Sequence, residues 1–443
     1  MTYQLLASNF ISSFGGILLA IGILLAMVTI HEFGHYLAGK LLGFKINEFS
    51  VGFGPAIFKK RSKKTGELFA LRVIPLGGYC AFDGEDDYEE EEEKDEEKGE
   101  EAPFEEFPQK EENDGGVSAL KTENPEETLE VLQEEKSKEK DEYPEPKGAR
   151  FNDQKPWKRI IVLLAGAAMN YLLALFFIFI MFGAYGRPVL QVVKSAPDKY
   201  DTPLVQETYN TGLQTGDVIL EINGKKMYMV TDYIDALDGK DKGDVVTLTI
   251  LRDGKEQDLE LALWEDADPK NMSDTNVIFY ALGIACREEV PDEKTGEMMM
   301  KTTRGGGIST VSAKQGFFDT IGQSFVYSFK TGGTILRSLG ELLTGKIGIR
   351  SMGGPVTTIE VTAQAASYSF LSFLNIAAFI GVNLAVFNLL PIPALDGCKV
   401  IFCIIEWIRK KPINRKVEMI VNLAGIAFLF GFAIFVDVLH FIV

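Results

Sequence analysis

The sequence predicts a polytopic α-helical membrane protein with four transmembrane helices, a membrane-associated β-hairpin after the first helix, and an extracytoplasmic β-rich domain between the second and the third. Three observations carry this expectation. Four apolar blocks, Phe14–Ile30 continuing toward Ala38, Ile160–Phe182, Leu371–Leu395 and Met419–Val436, are each long enough to span a hydrocarbon core at about 1.5 Å per residue. Residues 50–80 and 212–263 alternate with the period of strands rather than of helices. Lysine and arginine collect on alternate loops, which fixes the orientation of the spans.

The first span, residues 1–38, ends in "VTIHEFGHYLAGK". Met1–Phe14 has no positive n-region and no small-residue cleavage site precedes HEFGH, so the segment is expected to be retained rather than removed as a signal peptide. Residues 39–82 form a cytoplasmic-side loop and hairpin, with alternation at Phe69, Leu71 and Val73 and a polar turn near Lys63–Gly66. Beside the end of span one, such a hairpin can enter the membrane where protein shields its backbone.

The formal charge of −18 belongs to one insert, residues 83–150. Between Asp83 and Pro146 stand 29 acidic and 7 basic residues, and the rest of the chain is slightly basic. This Glu/Lys/Pro-rich stretch reads as a solvated, disordered cytoplasmic loop. Cys80, Cys286, Cys398 and Cys403 have no paired spacing and imply no disulfide framework.

Span two occupies 151–185, span three 367–398 and span four 417–443, with 399–416 as a cytoplasmic loop. Basic residues after span one, before span two and between spans three and four place those flanks in the cytoplasm and residues 186–304 outside. Within the external region, "GLQTGDVILEINGKKM" is a strand closed by Asn223-Gly224, and 245–263 reads as two strands joined around Asp253-Gly254. The first of these resembles the core of a PDZ domain, placed at about 188–266, a module that binds extended peptides by strand addition. Residues 305–366 are expected to form amphipathic juxtamembrane helices, the first pair interrupted at Gly332-Gly333.

A buried charge is expensive in a bilayer, so the ionisable residues of span one demand a chemical reason. His31 and His35, at i and i+4, share one helical face, and Glu32 stands about 100° round the helix. HExxH is the arrangement of two zinc ligands and a general base. A catalytic zinc wants a third protein ligand. His440 falls in the outer half of span four, on the wrong side of the membrane, which leaves Asp396, Cys398 and Cys403. Asp396 follows a Pro391–Pro393 break that turns the end of span three into a local loop at the depth of HEFGH.

HEFGH in span one, "GFGP...IPLGGY" after it, the central PDZ-like region and "NLLPIPALDG" in span three together resemble the site-2 protease family of intramembrane zinc metalloproteases, in its RseP-like bacterial branch. The resemblance implies that His31, His35 and Asp396 bind zinc and that Glu32 is the catalytic base. It implies that Asn388 holds unwound substrate backbone and that the hairpin pairs with substrate as an edge strand, with Gly77, Gly78, Leu71 and Val73 as contact residues. It further implies a bacterial plasma membrane protein that cuts single-span membrane proteins, such as anti-sigma factors or signal-peptide remnants, after another protease has trimmed them. The chain departs from the usual pattern at Cys398, where the family has a second glycine, and at "GAAMN", where it has a GP pair before Asn170.

Other classes fit less well. A non-catalytic PDZ membrane scaffold would have no use for Glu32, and a zinc transporter would need polar residues along a whole path rather than at one end of the spans. The lipid bilayer and a membrane-spanning polypeptide are the expected partners, and nucleic acid is not.

Overall fold

A computed structural model of the chain describes residues 2–85, 143–193, 212–267, 276–291, 298–304, 307–349 and 352–442. Most of the acidic insert lies outside the described residues. The chain divides into two compact units, Met1–Phe177 with Ser328–Val443, and Ile178–Tyr327. Among the described residues four helices are long and apolar enough to cross a membrane: Gly15–Leu42, Pro156–Tyr185, Phe370–Asn388 and Arg415–Leu439.

The first unit opens with α1 (Thr2–Leu42). Its end is a Schellman motif: Gly43, at φ +79°, supplies the left-handed residue, and the amides of Gly43 and Phe44 bond back to Lys40 and Gly39. The chain then forms β1 (Ile46–Arg61) and β2 (Leu68–Phe82), the expected antiparallel hairpin. Phe49 is matched with both Cys80 and Phe69, and Ser50 with both Tyr79 and Ala70. The first half of β1 therefore lies between the two ends of β2. Arg72 ties this folded ribbon together, donating to Ser50 Oγ at 2.8 Å, Gly54 O at 2.8 Å and Glu48 Oε1 at 2.6 Å. At the base of the hairpin Ile46, Cys80 and Phe82 pack with Phe44, Phe151, Val162 and Cys403, whereas Phe53, Ile57, Phe58 and Val73 remain exposed. After the insert the chain continues as α2 (Pro156–Tyr185), with proline in the first turn, where it costs no helical hydrogen bond.

The second unit is built on a sheet of β3 (Arg187–Val193), β4 (Val218–Ile222), the short β5 (Lys225–Lys226), β6 (Val245–Arg252), β7 (Lys255–Ala262) and a late strand, β10 (Gly307–Ala313). The order is β10-β3-β4-β6-β7, with β5 beside β4 and every pairing antiparallel. Both expected turns are present, with Asn223 and Gly224 at φ 50° and 72° and Asp253 and Gly254 at 51° and 75°. These are the paired positive angles that tight hairpins require. The helix α3 (Val230–Leu237) closes the core, where Tyr233 donates to Ile219 O and accepts from Leu190 N. Beyond it lie the short α4 (Asn276–Ala281) and a separate hairpin of β8 (Cys286–Pro291) and β9 (Met298–Arg304).

This unit corrects the sequence reading at its far end. The sheet does not finish near residue 266: β10 pairs with β3 over its full length, from Gly307 opposite Val193 to Ala313 opposite Arg187. The start of the stretch expected to be helical, 305–366, is thus a strand. Non-local pairing decides this, and a seven-residue polar alternation carries little sign of it.

The remaining helices are α5 (Phe317–Leu343), α6 (Pro355–Tyr368), α7 (Phe370–Asn388), α8 (Asp396–Arg409) and α9 (Arg415–Ile442). Contrary to expectation, α5 runs unbroken through Gly332-Gly333. A Cβ on Gly332 would stand 3.5 Å from a Val386 methyl, so glycine here admits a close helix approach rather than a break. Ser328 and Thr331 of α5 are buried while Phe329 and Leu336 face outward, and Tyr171 meets Ser328 Oγ at 2.7 Å. A second correction concerns 399–416, expected as a loop. It is helical to Arg409, because Val400, Ile401, Ile404, Ile405 and Ile408 recur at helical spacing within a segment that its charges mark as a loop. Asp437 of α9 caps α6, accepting from Val356 N at 3.1 Å and from Thr357 Oγ1 at 3.2 Å.

Candidate metal centre

Three helices of the first unit approach one another through small residues. Gly34 of α1 lies against Ala165 of α2, and a Cβ on Gly381 of α7 would stand 2.8 Å from Ala174 Cβ and 3.3 Å from Met27 Cε. Such contacts let backbones pack closely and bring the polar end of α1 between α2 and α7. After Asn388 the prolines at 391 and 393 prevent α7 from continuing. Ala394 adopts φ +77°, a left-handed conformation that costs about 1–2 kcal/mol for a residue with a Cβ. The chain then re-enters helix at Asp396, the first residue of α8. A Cβ on Gly397 would stand 2.6 Å from the Leu389 carbonyl carbon, so this tight return requires glycine. Two contacts hold the loop in place. Pro393 lies against Gly425 of α9, and the buried Arg159 of α2 pairs with the buried Glu406 of α8 at 2.5 Å.

The result is a convergence of three donor atoms. His31 Nε2 and His35 Nε2 are 3.1 Å apart, and Asp396 Oδ2 stands 3.1 Å from the first and 3.4 Å from the second. These separations approach the ~3.3–3.6 Å edge of a tetrahedron with metal–ligand bonds of ~2.0–2.2 Å. Asp396 Oδ2 is buried and lacks a hydrogen-bond partner despite its two imidazole neighbours. His35 Nδ1 lies 2.8 Å from the Val162 carbonyl, which holds the proton on that nitrogen and leaves the Nε2 lone pair toward Asp396. Two nitrogens and one carboxylate oxygen, all at metal-ligand separation, fit a zinc ion. Of the three candidates for the third donor, Asp396 is the one that meets the histidines. Cys403 packs into the apolar cluster around Phe44 and Phe82, and Cys398 is buried as a free thiol.

Glu32 lies beside this group. A Cβ on Gly78 would stand 3.3 Å from Glu32 Cγ, which puts the last stretch of β2 next to the carboxylate. The hairpin is moored there by Glu67, a buried carboxylate that pairs with Lys40 and accepts from Tyr36 at 3.1 Å and Thr65 at 3.0 Å. Asn388 Nδ2 lies 3.4 Å from His31 Nδ1. Gly77, at φ +111°, is covered by the Phe53 ring. Leu71 is matched to both Val51 and Phe58, so its backbone edges are occupied while its side chain, like that of Val73, is exposed.

Two further residues stand at the centre, the first and last of the GAAMN stretch, to which the sequence assigns no role. Gly166 of α2 faces both imidazoles: a Cβ there would stand 2.6 Å from His35 Cε1 and 2.7 Å from His31 Cε1. One glycine in an apolar span carries no visible signal of that role. Asn170, one turn further along α2, places Nδ2 3.3 Å from His31 Nδ1. It is the lone amide side chain in the block Ile160–Phe182, and a polar group in a span is the signal that marks it.

The model of peptidase family M50 matches residues 19–432. The chain is 29% identical to the regulator of sigma-W protease RasP of Bacillus subtilis over 91% of this chain and 92% of that protein. It is also 29% identical to zinc metalloprotease RasP of Bacillus licheniformis, over 91% and 93% of the two chains, and 28% identical to that of Oceanobacillus iheyensis, again over 91% and 93%. The histidine pair on α1 and the aspartate opening α8 both lie within the matched stretch, and the chain belongs to peptidase family M50.

Proposed function

We propose that the protein is an intramembrane zinc metalloprotease that hydrolyses peptide bonds within or near the transmembrane segments of single-span membrane proteins. The observation that carries this reading is the convergence of His31 and His35, on a helix apolar enough to cross a membrane, with Asp396 at the start of α8, and with Glu32 adjacent. Zinc held there supplies Lewis acidity toward the scissile carbonyl and lowers the pKa of water to about 7. Glu32 takes the proton from the attacking water and delivers it to the departing amine nitrogen. A substrate helix must first unwind, and in lipid each freed N–H and C=O needs a partner. The end of β2 near Gly78 offers strand pairing beside Glu32, and the half-buried Asn388 offers an amide beside His31. The test is cleavage of a tagged single-span substrate by detergent-purified protein, wild type against Glu32→Gln, with bound zinc measured in both. Zinc in both with cleavage by wild type alone is the expected result. Well-folded wild type without zinc would sink the site.

The second unit is read as the extracytoplasmic PDZ domain, serving to exclude substrates that another protease has not trimmed. Its removal is testable without a linker, because Gly186 packs directly against Ala313 and Lys314. The excised segment must be 187–313 rather than the sequence-based 188–266, since cutting at 266 would leave β10 unpaired. The excised protein should cut untrimmed and trimmed substrate at similar rates, and retained discrimination would count against the gate.

A further inference from the structure

His31 presents a hydrogen-bonding mismatch that the metal reading does not resolve. Its Nε2 is the atom that meets His35 and Asp396, so its Nδ1 must carry the ring proton and needs an acceptor. His35 meets the same need with the Val162 carbonyl. His31 Nδ1 instead faces two amide nitrogens, Asn170 Nδ2 at 3.3 Å and Asn388 Nδ2 at 3.4 Å. An N–H cannot be satisfied by two donors, so one amide must present its oxygen.

The surroundings select which one. Asn170 is 1% exposed, and its Oδ1 is buried with no hydrogen-bond partner. A half-turn of the amide about χ2 exchanges oxygen and nitrogen, which have the same shape, and sets Oδ1 toward His31. Asn388 ends α7 and is only half-buried, so its amide is the one with room to meet a substrate. We infer that Asn170 is a positioning residue: its side-chain oxygen accepts the His31 Nδ1 proton, fixing the tautomer that directs Nε2 at the metal, and leaves the Asn388 amide to substrate. The inference rests on the reading of His31 as a zinc ligand. It divides between two asparagines the duties that a spatial list would give to both.

The experiment is chelator competition for zinc on the detergent-purified full chain, comparing wild type with Asn170→Leu, Asn170→Asp, Asn170→Ala and Asn388→Ala. Leucine keeps the volume of asparagine and removes the acceptor, so zinc affinity should fall about 10–100-fold, the usual effect of losing such a partner. Aspartate keeps an acceptor and loses the donor, so it should bind zinc within about threefold of wild type. Asn170→Ala should match the leucine variant and serves in its place if leucine prevents folding. Asn388→Ala should hold zinc as wild type does while losing cleavage. Wild-type affinity in Asn170→Leu or Asn170→Ala would overturn the inference, as would equal weakening in Asn170→Asp, which would show that the donor or the packing matters. Absence of zinc from wild type would instead overturn the underlying metal reading, a different result from wild-type binding with unaffected variants.

Discussion

At the scale of single residues, the centre depends as much on what is missing as on what is present. Gly166 contributes no atom to the chemistry, yet any side chain there meets His35 Nε2, the atom aimed at Asp396. The neighbour is a ring fixed from its other nitrogen by Val162, so it cannot swing aside without losing that bond. Gly166→Ala should therefore lower zinc affinity at least ~10-fold, comparable to removing a partner of a ligating histidine. The protein should still fold, since the change adds one methyl at a helix contact. Measured zinc content after dialysis against a weak chelator checks it, and wild-type content would refute the steric argument. HExxH is legible in the sequence because charge in an apolar span needs a reason, Asp396 is chosen among three candidate donors only by the resemblance and the fold, and Gly166 shows only as part of the GAAMN stretch, with nothing local to mark that it faces the imidazoles.

At the scale of elements, the hairpin is the part whose position matters most and whose anchoring is least visible in the sequence. Alternation and the polar turn disclose β1 and β2, but Glu67 reads as one more turn carboxylate. In the fold it is buried against α1, bound to Lys40, Tyr36 and Thr65, one helical turn past the histidines. That clamp sets where the end of β2 lies relative to Glu32. Removing the carboxylate by Glu67→Ala leaves Lys40, one-third exposed, free to reach water, so the fold should survive. The hairpin should lose its register on α1, with kcat/KM for a membrane substrate falling about 10-fold, or ~1.4 kcal/mol, at unchanged zinc content. Equal kinetics in the variant would show that the apolar base around Phe44 and Phe82 is sufficient by itself. The misread elements fail for separate reasons. The strand β10 is fixed by β3, a partner distant in the chain, so local pattern does not disclose it. The helix α8 carries its own apolar spacing, which the charges around it mask as a loop.

At the scale of the whole molecule, a metal held by the candidate donors would cross-link segments near opposite ends of the chain. His31 and His35 come from α1, Asp396 from α8, and the loop that presents Asp396 is strained at Ala394. Without a cation, two imidazole nitrogens and a carboxylate oxygen face one another with few hydrogens to share. A ligand that binds only the folded state adds RT ln(1 + [L]/Kd), about 2.7 kcal/mol at a hundredfold excess over Kd. Chelation should accordingly lower the thermal midpoint of the detergent-purified protein by several degrees, and readdition of zinc should restore it. Glu32→Gln should keep the full zinc-dependent shift, because the carboxylate acts on water and substrate, while Asp396→Ala should lose it. The chain lacking 187–313 should also keep it, since every donor belongs to the first unit. A midpoint insensitive to chelator in protein that demonstrably exchanges its zinc would mean that the helix contacts at Gly34 and Gly381 already hold the donors in place, and that the metal serves the chemistry alone.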